Sequence, residues 1–174
     1  ELEMNPNWAL LVGLDWGFSN DLTALTCSLL DEKNKTIYIF DEWGCRGQTN
    51  QEIASHIASM GLAKSIIIAD SSEPKSIEEA KRAGLIRVRP SVKGPDSIIH
   101  GIQRLQNYKI IVNPKCVGVI EEFENYCWQK DKQTNEYINK PIDQFNHYLD
   151  ALRYSLQCID GGSLKTLDKR KLGL

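Results

Sequence analysis

Three aspartates in this sequence stand where neighbouring residues could fix a carboxylate for chemistry. Asp15 directly follows the apolar residues 10–14, and Asp70 directly follows the apolar residues 66–69. A carboxylate at the end of a buried strand is costly unless it is paired or bound to a metal ion. Asp150 lies in a segment with helical spacing near the C-terminus. Because hard divalent ions such as Mg²⁺ prefer carboxylate oxygens, the three acids predict a metal site.

Each of these acids also has a purely structural interpretation, and the spacing alone leaves both open. Asp15 suits a turn, Asp70 suits a helix N-cap, and Asp150 suits the solvent face of a helix. The N-cap interpretation of Asp70 is weakened because Ser71 and Ser72 are equally able to cap the following helix.

Phosphodiester hydrolysis is the reaction that such a set of acids would serve. Two divalent ions roughly 3.5–4 Å apart activate a water molecule and stabilise the leaving oxygen. Carboxylates from several separate elements are needed to hold such a pair. Without metal, their mutual repulsion should raise the pKa of at least one of them.

The elements that must position these acids are predicted from hydrophobic periodicity. The first part of the chain predicts three strands joined by short turns, and therefore an antiparallel meander, at residues 9–14, 22–30 and 36–43. Alternating helices and strands follow. The helices are predicted at residues 49–60, 74–83, 96–106, 115–127 and 141–157, and the strands at 65–69, 86–88 and 109–112. The fold class is therefore α/β, with a mixed sheet flanked by helices.

Two local patterns refine this prediction. Thr49 and Glu52 have the spacing of a capping box at the start of the first helix, and Gly61 would close that helix. Residues 131–139 are polar and predict either a hairpin or a mobile loop.

The last predicted helix should carry a polar face beside its apolar stripe. The polar face has the spacing i, i+3, i+4 and i+7 and consists of Asp143, Asn146, His147 and Asp150. The stripe consists of Phe145, Leu149, Leu152 and Leu156. This arrangement would let Asp150 reach over the sheet toward Asp15 and Asp70.

Composition narrows the class of protein. The net charge is −2, but basic residues concentrate between residues 71 and 95 and again in the tail, residues 161–174. Such local basic faces beside an acidic centre suit an enzyme that holds phosphates, although solvated surface charge explains them equally well. The five cysteines include no CxxC pair, which argues against a zinc knuckle, and no apolar run is long enough to span a membrane. We expect one domain over residues 1–160 and a flexible basic tail over 161–174.

Four segments in order resemble the nuclease domain of phage terminase large subunits. They read GLDWG from Gly13, ADSSEPKSI from Ala69, KGPDSIIHGI from Lys93 and NHYLDALRY from Asn146. The resemblance implies a ribonuclease H-like fold and metal-dependent endonucleolytic cutting of double-stranded viral DNA during genome packaging. It also implies two divalent ions, Mg²⁺ or Mn²⁺, as cofactors.

The resemblance also implies roles for individual residues. The family's three metal-binding acids match Asp15, Asp70 and Asp150. His147 would be an accessory residue that assists either the metal site or a phosphate, and Asp143 would be an accessory acid. Contacts with DNA phosphates are expected of three basic residues, Lys75, Lys93 and Arg89.

Terminase large subunits carry a packaging ATPase ahead of the nuclease, but this sequence contains no G-x-x-x-x-G-K-[ST] motif. We therefore expect an excised C-terminal domain, an expectation that its start at Glu1 rather than Met supports. The implied partners are double-stranded DNA, the ATPase domain of the same full-length chain, the portal and the small terminase subunit. The implied location is the cytoplasm of the infected bacterial host, with no membrane partner.

Two alternatives remain open from the residues alone. The same fold could serve a junction resolvase or a nuclease of RNA strands. A protein of another class, a non-catalytic module that grips DNA and docks onto the packaging motor, would also account for the basic segments.

Overall fold

The central sheet begins with three antiparallel strands, as predicted. The computed structural model describes residues 7–17 and 20–159. Within them, β1 (Ala9–Asp15), β2 (Thr23–Asp31) and β3 (Thr36–Cys45) form the meander. β1 pairs with β2 and β2 pairs with β3, both antiparallel. β2 is buried along its whole length, which explains why it lacks the alternating pattern of a half-exposed strand.

Three short parallel strands extend this meander at both edges. They are β4 (Ile67–Ala69), β5 (Val88–Pro90) and β6 (Lys109–Val112). The strand order is β5-β4-β1-β2-β3-β6, with β4 parallel to β1, β5 parallel to β4 and β6 parallel to β3. The predicted mixed sheet of three antiparallel strands followed by parallel strands is therefore confirmed.

Helices cover both faces of the sheet. They are α1 (Asn50–Ile57), α2 (Pro74–Arg82), α3 (Ser97–Gln106), α4 (Val117–Asn125) and α5 (His147–Ser155). The predicted capping box of α1 is present, with Thr49 and Glu52 each accepting from the other's backbone amide. A π-helical turn, Ala58–Leu62, continues α1 and contains Gly61 at a φ of 81°. Within the described ranges, no helix is both long and apolar enough to cross a membrane.

Side chains alternate between the two faces of β1, so successive residues of this strand contact different helices. Val12 and Leu14 belong to the core cluster that contains residues of α1 and α2, such as Ile57 and Ile77. Leu11 belongs to the opposite cluster, which contains Leu152 of α5. Successive side chains of a strand point to opposite faces, so Gly13 and Asp15 share the face of Leu11, on which α5 packs.

The segment that leads into α5 differs from its prediction, and the difference concerns the site. β7 (Trp128–Lys130) and β8 (Tyr137–Pro141) form a hairpin. Of the two structures predicted for residues 131–139, the hairpin is therefore the correct one. Because Pro141 pairs with Trp128 in that hairpin, α5 starts at His147 rather than at residue 141. The prediction of a helix from residue 141 is therefore wrong.

This later start changes the predicted helix faces. Asp143 precedes α5 instead of lying on it, and Asn146 is its N-cap residue. Phe145 has a φ of 55° and is 37% exposed, so it does not belong to the apolar stripe of α5. Leu149 and Leu152 do pack in the core. The predicted basic tail, residues 161–174, lies outside the described residues.

Candidate metal centre

Asp15 and Asp70 lie side by side because their strands are neighbours in register. Leu14 of β1 pairs with Ala69 of the parallel β4, so the next residue of each strand is an aspartate. The Asp70 amide donates a hydrogen bond of 2.9 Å to the Leu14 carbonyl oxygen, which extends the pairing to the acids themselves. Two strands that end in the same direction thus bring two carboxylates to one edge of the sheet.

Asp150 reaches the same place because α5 packs unusually close to β1. A Cβ atom on Gly13 would lie 1.7 Å from the carbonyl oxygen of Ala151, so only glycine permits this approach. Asp150 precedes Ala151 in the first turns of α5. All three aspartates line one cleft of about 770 Å³. The structure thus brings together the three acids that the sequence singled out.

Asp70 and Asp150 each have a basic partner from within the protein. Lys93 Nζ lies 2.5 Å from Asp70 Oδ1 and donates to Ser72 Oγ at 2.7 Å. Arg153 donates from Nε and Nη2 to Asp150 Oδ1, at 3.2 and 3.0 Å. Both pairs therefore occupy one oxygen of the acid and leave its other oxygen without a charged partner among the described contacts.

Asp15 has a histidine as its partner. His147 Nδ1 lies 3.1 Å from Asp15 Oδ2, and the other ring nitrogen, Nε2, lies 3.2 Å from Asp21 Oδ1. The imidazole is thus held between two carboxylates. The hydrogen bond to Asp15, followed by the charge of Asp21, raises the pKa of His147 against the effect of its partial burial.

The electrostatics of this cleft disfavour three bare carboxylates. Burial raises the pKa of Asp15 to about 6, the hydrogen bond from His147 opposes this, and the charges of Asp150 and Asp70 add to the rise. Burial also raises the pKa of Asp150, although Arg153 opposes the effect. A cation in the cleft would relieve both the desolvation and the repulsion.

These donors suit a divalent cation, since carboxylate oxygens with one imidazole nearby are ligands that Mg²⁺ and Mn²⁺ accept. Across residues 7–17 and 20–159, no three histidine, cysteine or acidic side chains lie close enough to hold one ion as they stand. Metal binding would therefore require the acids to move closer together around a shared ion.

The remaining predicted residues divide between the cleft and the surface. Asp143 and Lys93 line the cleft. Lys75 is exposed on α2, where its ammonium lies 3.8 Å from Glu79, and Arg89 is exposed on β5; neither lines the cleft. The structure brings Lys93 to the acids and leaves Lys75 and Arg89 apart from them.

Three further residues at the cleft were not singled out by their sequence. Asp21 contacts His147, Arg153 contacts Asp150, and the buried Glu122 accepts a hydrogen bond from the Leu149 amide at 2.9 Å. Arg153 lies inside the segment NHYLDALRY, so the resemblance of that segment to terminases could have identified it. Asp21 lies in a polar turn and Glu122 in a mixed helix, where the sequence offers no signal that separates them from surface acids.

Comparison with known proteins identifies the family. Residues 15–158 match the family described as terminase RNase H-like domain. The chain is 34% identical over 148 residues to the terminase large subunit of Bacillus phage SPP1, covering 83% of this chain and 35% of that protein. It is also 29% identical over 160 residues to the PBSX phage terminase large subunit of Bacillus subtilis strain 168, covering 91% of this chain and 36% of that protein. The chain thus spans about a third of the length of these relatives.

A solved structure supports the same assignment. The nuclease domain of the SPP1 large terminase with bound Mn superposes with a TM-score of 0.81 at 33% identity, covering 86% of both chains. The predicted resemblance is thereby confirmed. With a family match over most of its length, this chain belongs to the terminase RNase H-like domain family.

Proposed function

We propose that this protein is a metal-dependent endonuclease that cuts double-stranded DNA during viral genome packaging. The observation that carries the proposal is the convergence of Asp15, Asp70 and Asp150 on one cleft from two neighbouring strand ends and a closely packed helix. The Mn bound by the similar SPP1 nuclease domain supports the same chemistry here.

In this proposal, Asp15, Asp70 and Asp150 hold two divalent ions, Mg²⁺ or Mn²⁺. When bound, such ions lower the pKa of an attacking water and neutralise charge that develops on the phosphate. His147 orients Asp15 through their 3.1 Å contact and is itself held by Asp21. Arg153 fixes Asp150 from one side and leaves its second oxygen available to an ion. Asp143, which also lines the cleft, is an accessory acid.

DNA would approach the open side of this cleft. Lys93 is the best placed of the three proposed phosphate contacts because it lines the cleft beside Asp70. Lys75 and Arg89 would contact phosphates farther along the duplex, from α2 and β5. Each such contact should contribute about one unit to the salt dependence of DNA binding.

Cleavage of supercoiled plasmid in Mn²⁺ tests the proposal. We expect cutting that EDTA stops and that Asp70→Ala abolishes. Asp31→Asn is the matched control, since Asp31 is a buried acid at the far end of β2 from the cleft, and it should still cut. Undiminished cutting by Asp70→Ala would refute the assignment.

The choice of substrate separates the alternatives. Equal amounts of plasmid, a four-way junction and an RNA–DNA hybrid should show a preference for the plasmid. A preference for the junction or the hybrid would identify a resolvase or an RNA-strand nuclease instead. Folded protein that neither cuts nor gains heat stability from Mn²⁺ would identify a non-catalytic gripping module.

We further propose that the protein acts as part of a larger packaging machine, because its similarity covers only about a third of each curated relative. The proposed partners are a packaging ATPase domain in the same full-length chain, the portal and the small terminase subunit. The proposed place of action is the cytoplasm of the bacterial host.

A further inference from the structure

The N-terminus of α5 lacks a cap from its own sequence. Asn146, the N-cap residue, makes no side-chain hydrogen bond to the first turn. The first amides of a helix have no partner within the helix and need an acceptor from elsewhere. In α5 these amides belong to His147, Tyr148 and Leu149, whereas the Asp150 amide bonds to the Asn146 carbonyl oxygen at 2.7 Å.

Glu122 of α4 supplies the missing acceptor. Its Oε2 accepts a hydrogen bond from the Leu149 amide at 2.9 Å. Glu122 is only 5% exposed. A buried charge is tolerated where it is hydrogen-bonded, and a helix N-terminus stabilises a negative charge. Burial raises the pKa of Glu122, and the hydrogen bond from the Leu149 amide opposes the rise.

The helix that carries Glu122 is held in the same way. Cys116 gives α4 no side-chain cap, and Glu42 of β3 accepts from the amides of Gly118 and Val119, at 2.8 and 2.7 Å. Two glutamates thus link the sheet to α4 and α4 to α5. This linkage fixes the start of α5 relative to the strands that carry Asp15 and Asp70.

We infer that Glu122 is a positioning residue for the metal centre: by binding the Leu149 amide in the first turn of α5, it sets where His147 and Asp150 point. His147 is the first residue of α5 and Asp150 is in its first turns, so a shift of that turn would move both side chains. The expected effect on metal binding rests on the proposed nuclease function, whereas the positioning of α5 by Glu122 concerns the metal-free protein.

The test compares Glu122→Ala with Glu122→Gln. The alanine variant removes the acceptor, whereas the glutamine carbonyl oxygen still accepts a hydrogen bond from the Leu149 amide. In the metal-free protein, Glu122→Ala should speed hydrogen exchange at Leu149 and shift the NMR signals of the His147 ring. Mn²⁺ affinity, measured by calorimetry without DNA, should fall about tenfold in Glu122→Ala and less than about threefold in Glu122→Gln.

Glu52→Ala is the matched control for loss of a helix cap. It removes the capping-box partner of Thr49 in α1 and should lower heat stability without changing Mn²⁺ affinity or the His147 signals. If Glu122→Ala does not fold, Glu122→Asp takes its place, because the shorter side chain keeps the charge and withdraws the acceptor.

Two results would overturn the inference: wild-type Mn²⁺ affinity in a folded Glu122→Ala protein, or His147 signals that do not move. If the unaltered protein binds no Mn²⁺, the proposed function fails. The exchange rate of Leu149 and the signals of His147 then still decide the positioning role separately.

Discussion

Gly13 in β1 and Ala151 in α5 are in direct backbone contact, and a Cβ atom on Gly13 would lie 1.7 Å from the Ala151 carbonyl oxygen. Asp15 is two residues beyond Gly13 on the same face of β1, and Asp150 directly precedes Ala151. The distance between the strand and the helix therefore controls the distance between two of the three acids.

Gly13→Ala should separate α5 from β1. The new methyl group meets backbone rather than a flexible side chain, so the helix must shift, and we expect a loss of about 2–4 kcal/mol in the free energy of unfolding. The melting temperature should fall by several degrees, and Mn²⁺ affinity should fall with it. Gly94→Ala is the control, because a Cβ atom at Gly94 meets nothing within 4 Å. A Gly13→Ala protein as stable as Gly94→Ala would contradict the close contact.

The metal-free protein should lose stability as pH rises. Burial raises the pKa of Asp15 from 3.8 to about 6, so the folded state binds more protons than the unfolded state between these values. The raised pKa of His147 acts in the same direction at higher pH, because its contribution is lost as the ring deprotonates. Asp15→Asn should therefore stabilise the metal-free protein above pH 7, by at most about 3 kcal/mol, while weakening Mn²⁺ binding.

Thermal unfolding in EDTA across pH 5 to 8 measures this effect. Asp31→Asn is the opposite case: hydrogen bonds from Asn34 lower the pKa of Asp31, so its charge stabilises the fold at neutral pH and its removal should be destabilising. If Asp15→Asn and Asp31→Asn shift the melting temperature in the same direction, the claim that burial raises the pKa of Asp15 is contradicted.

The sequence predicted the sheet well because its signals are local. Apolar runs that end at Asp15 and Asp70 marked β1 and β4, and their register follows from the parallel pairing. The start of α5 could not be predicted from the spacing of residues 143–150. That spacing is compatible with a helix that begins at residue 141 and also with one that begins at His147. Pairing in the β7–β8 hairpin, a contact between distant residues, decided it. The role of Glu122 is equally non-local, since its partners lie in another helix.

Lys93 should compete with metal ions for Asp70. Its ammonium lies 2.5 Å from Asp70 Oδ1, and an ion held by Asp70 would meet an unfavourable like charge there. Lys93→Met should raise the Mn²⁺ affinity of the DNA-free protein about two- to fivefold, the range expected for a partly exposed ion pair. Calorimetry measures this, with Lys75→Met as the control that should leave affinity unchanged. Equal or weaker Mn²⁺ binding by Lys93→Met would show that the lysine does not oppose the ion.

Asp21 should set the protonation of His147 from the side away from Asp15. Its carboxylate lies 3.2 Å from Nε2 and favours the charged ring, so Asp21→Asn should lower the pKa of His147. Asp15→Asn should lower it further, because the hydrogen bond to Asp15 is the largest cause of the rise. The chain contains three histidines, so an NMR titration of the metal-free protein can follow each ring. The ring of His56, which stacks on Trp43 outside the cleft, is the control, and its NMR signals should be the same in both variants as in the unaltered protein. An unaltered His147 titration in Asp21→Asn would mean that the ring depends on Asp15 alone.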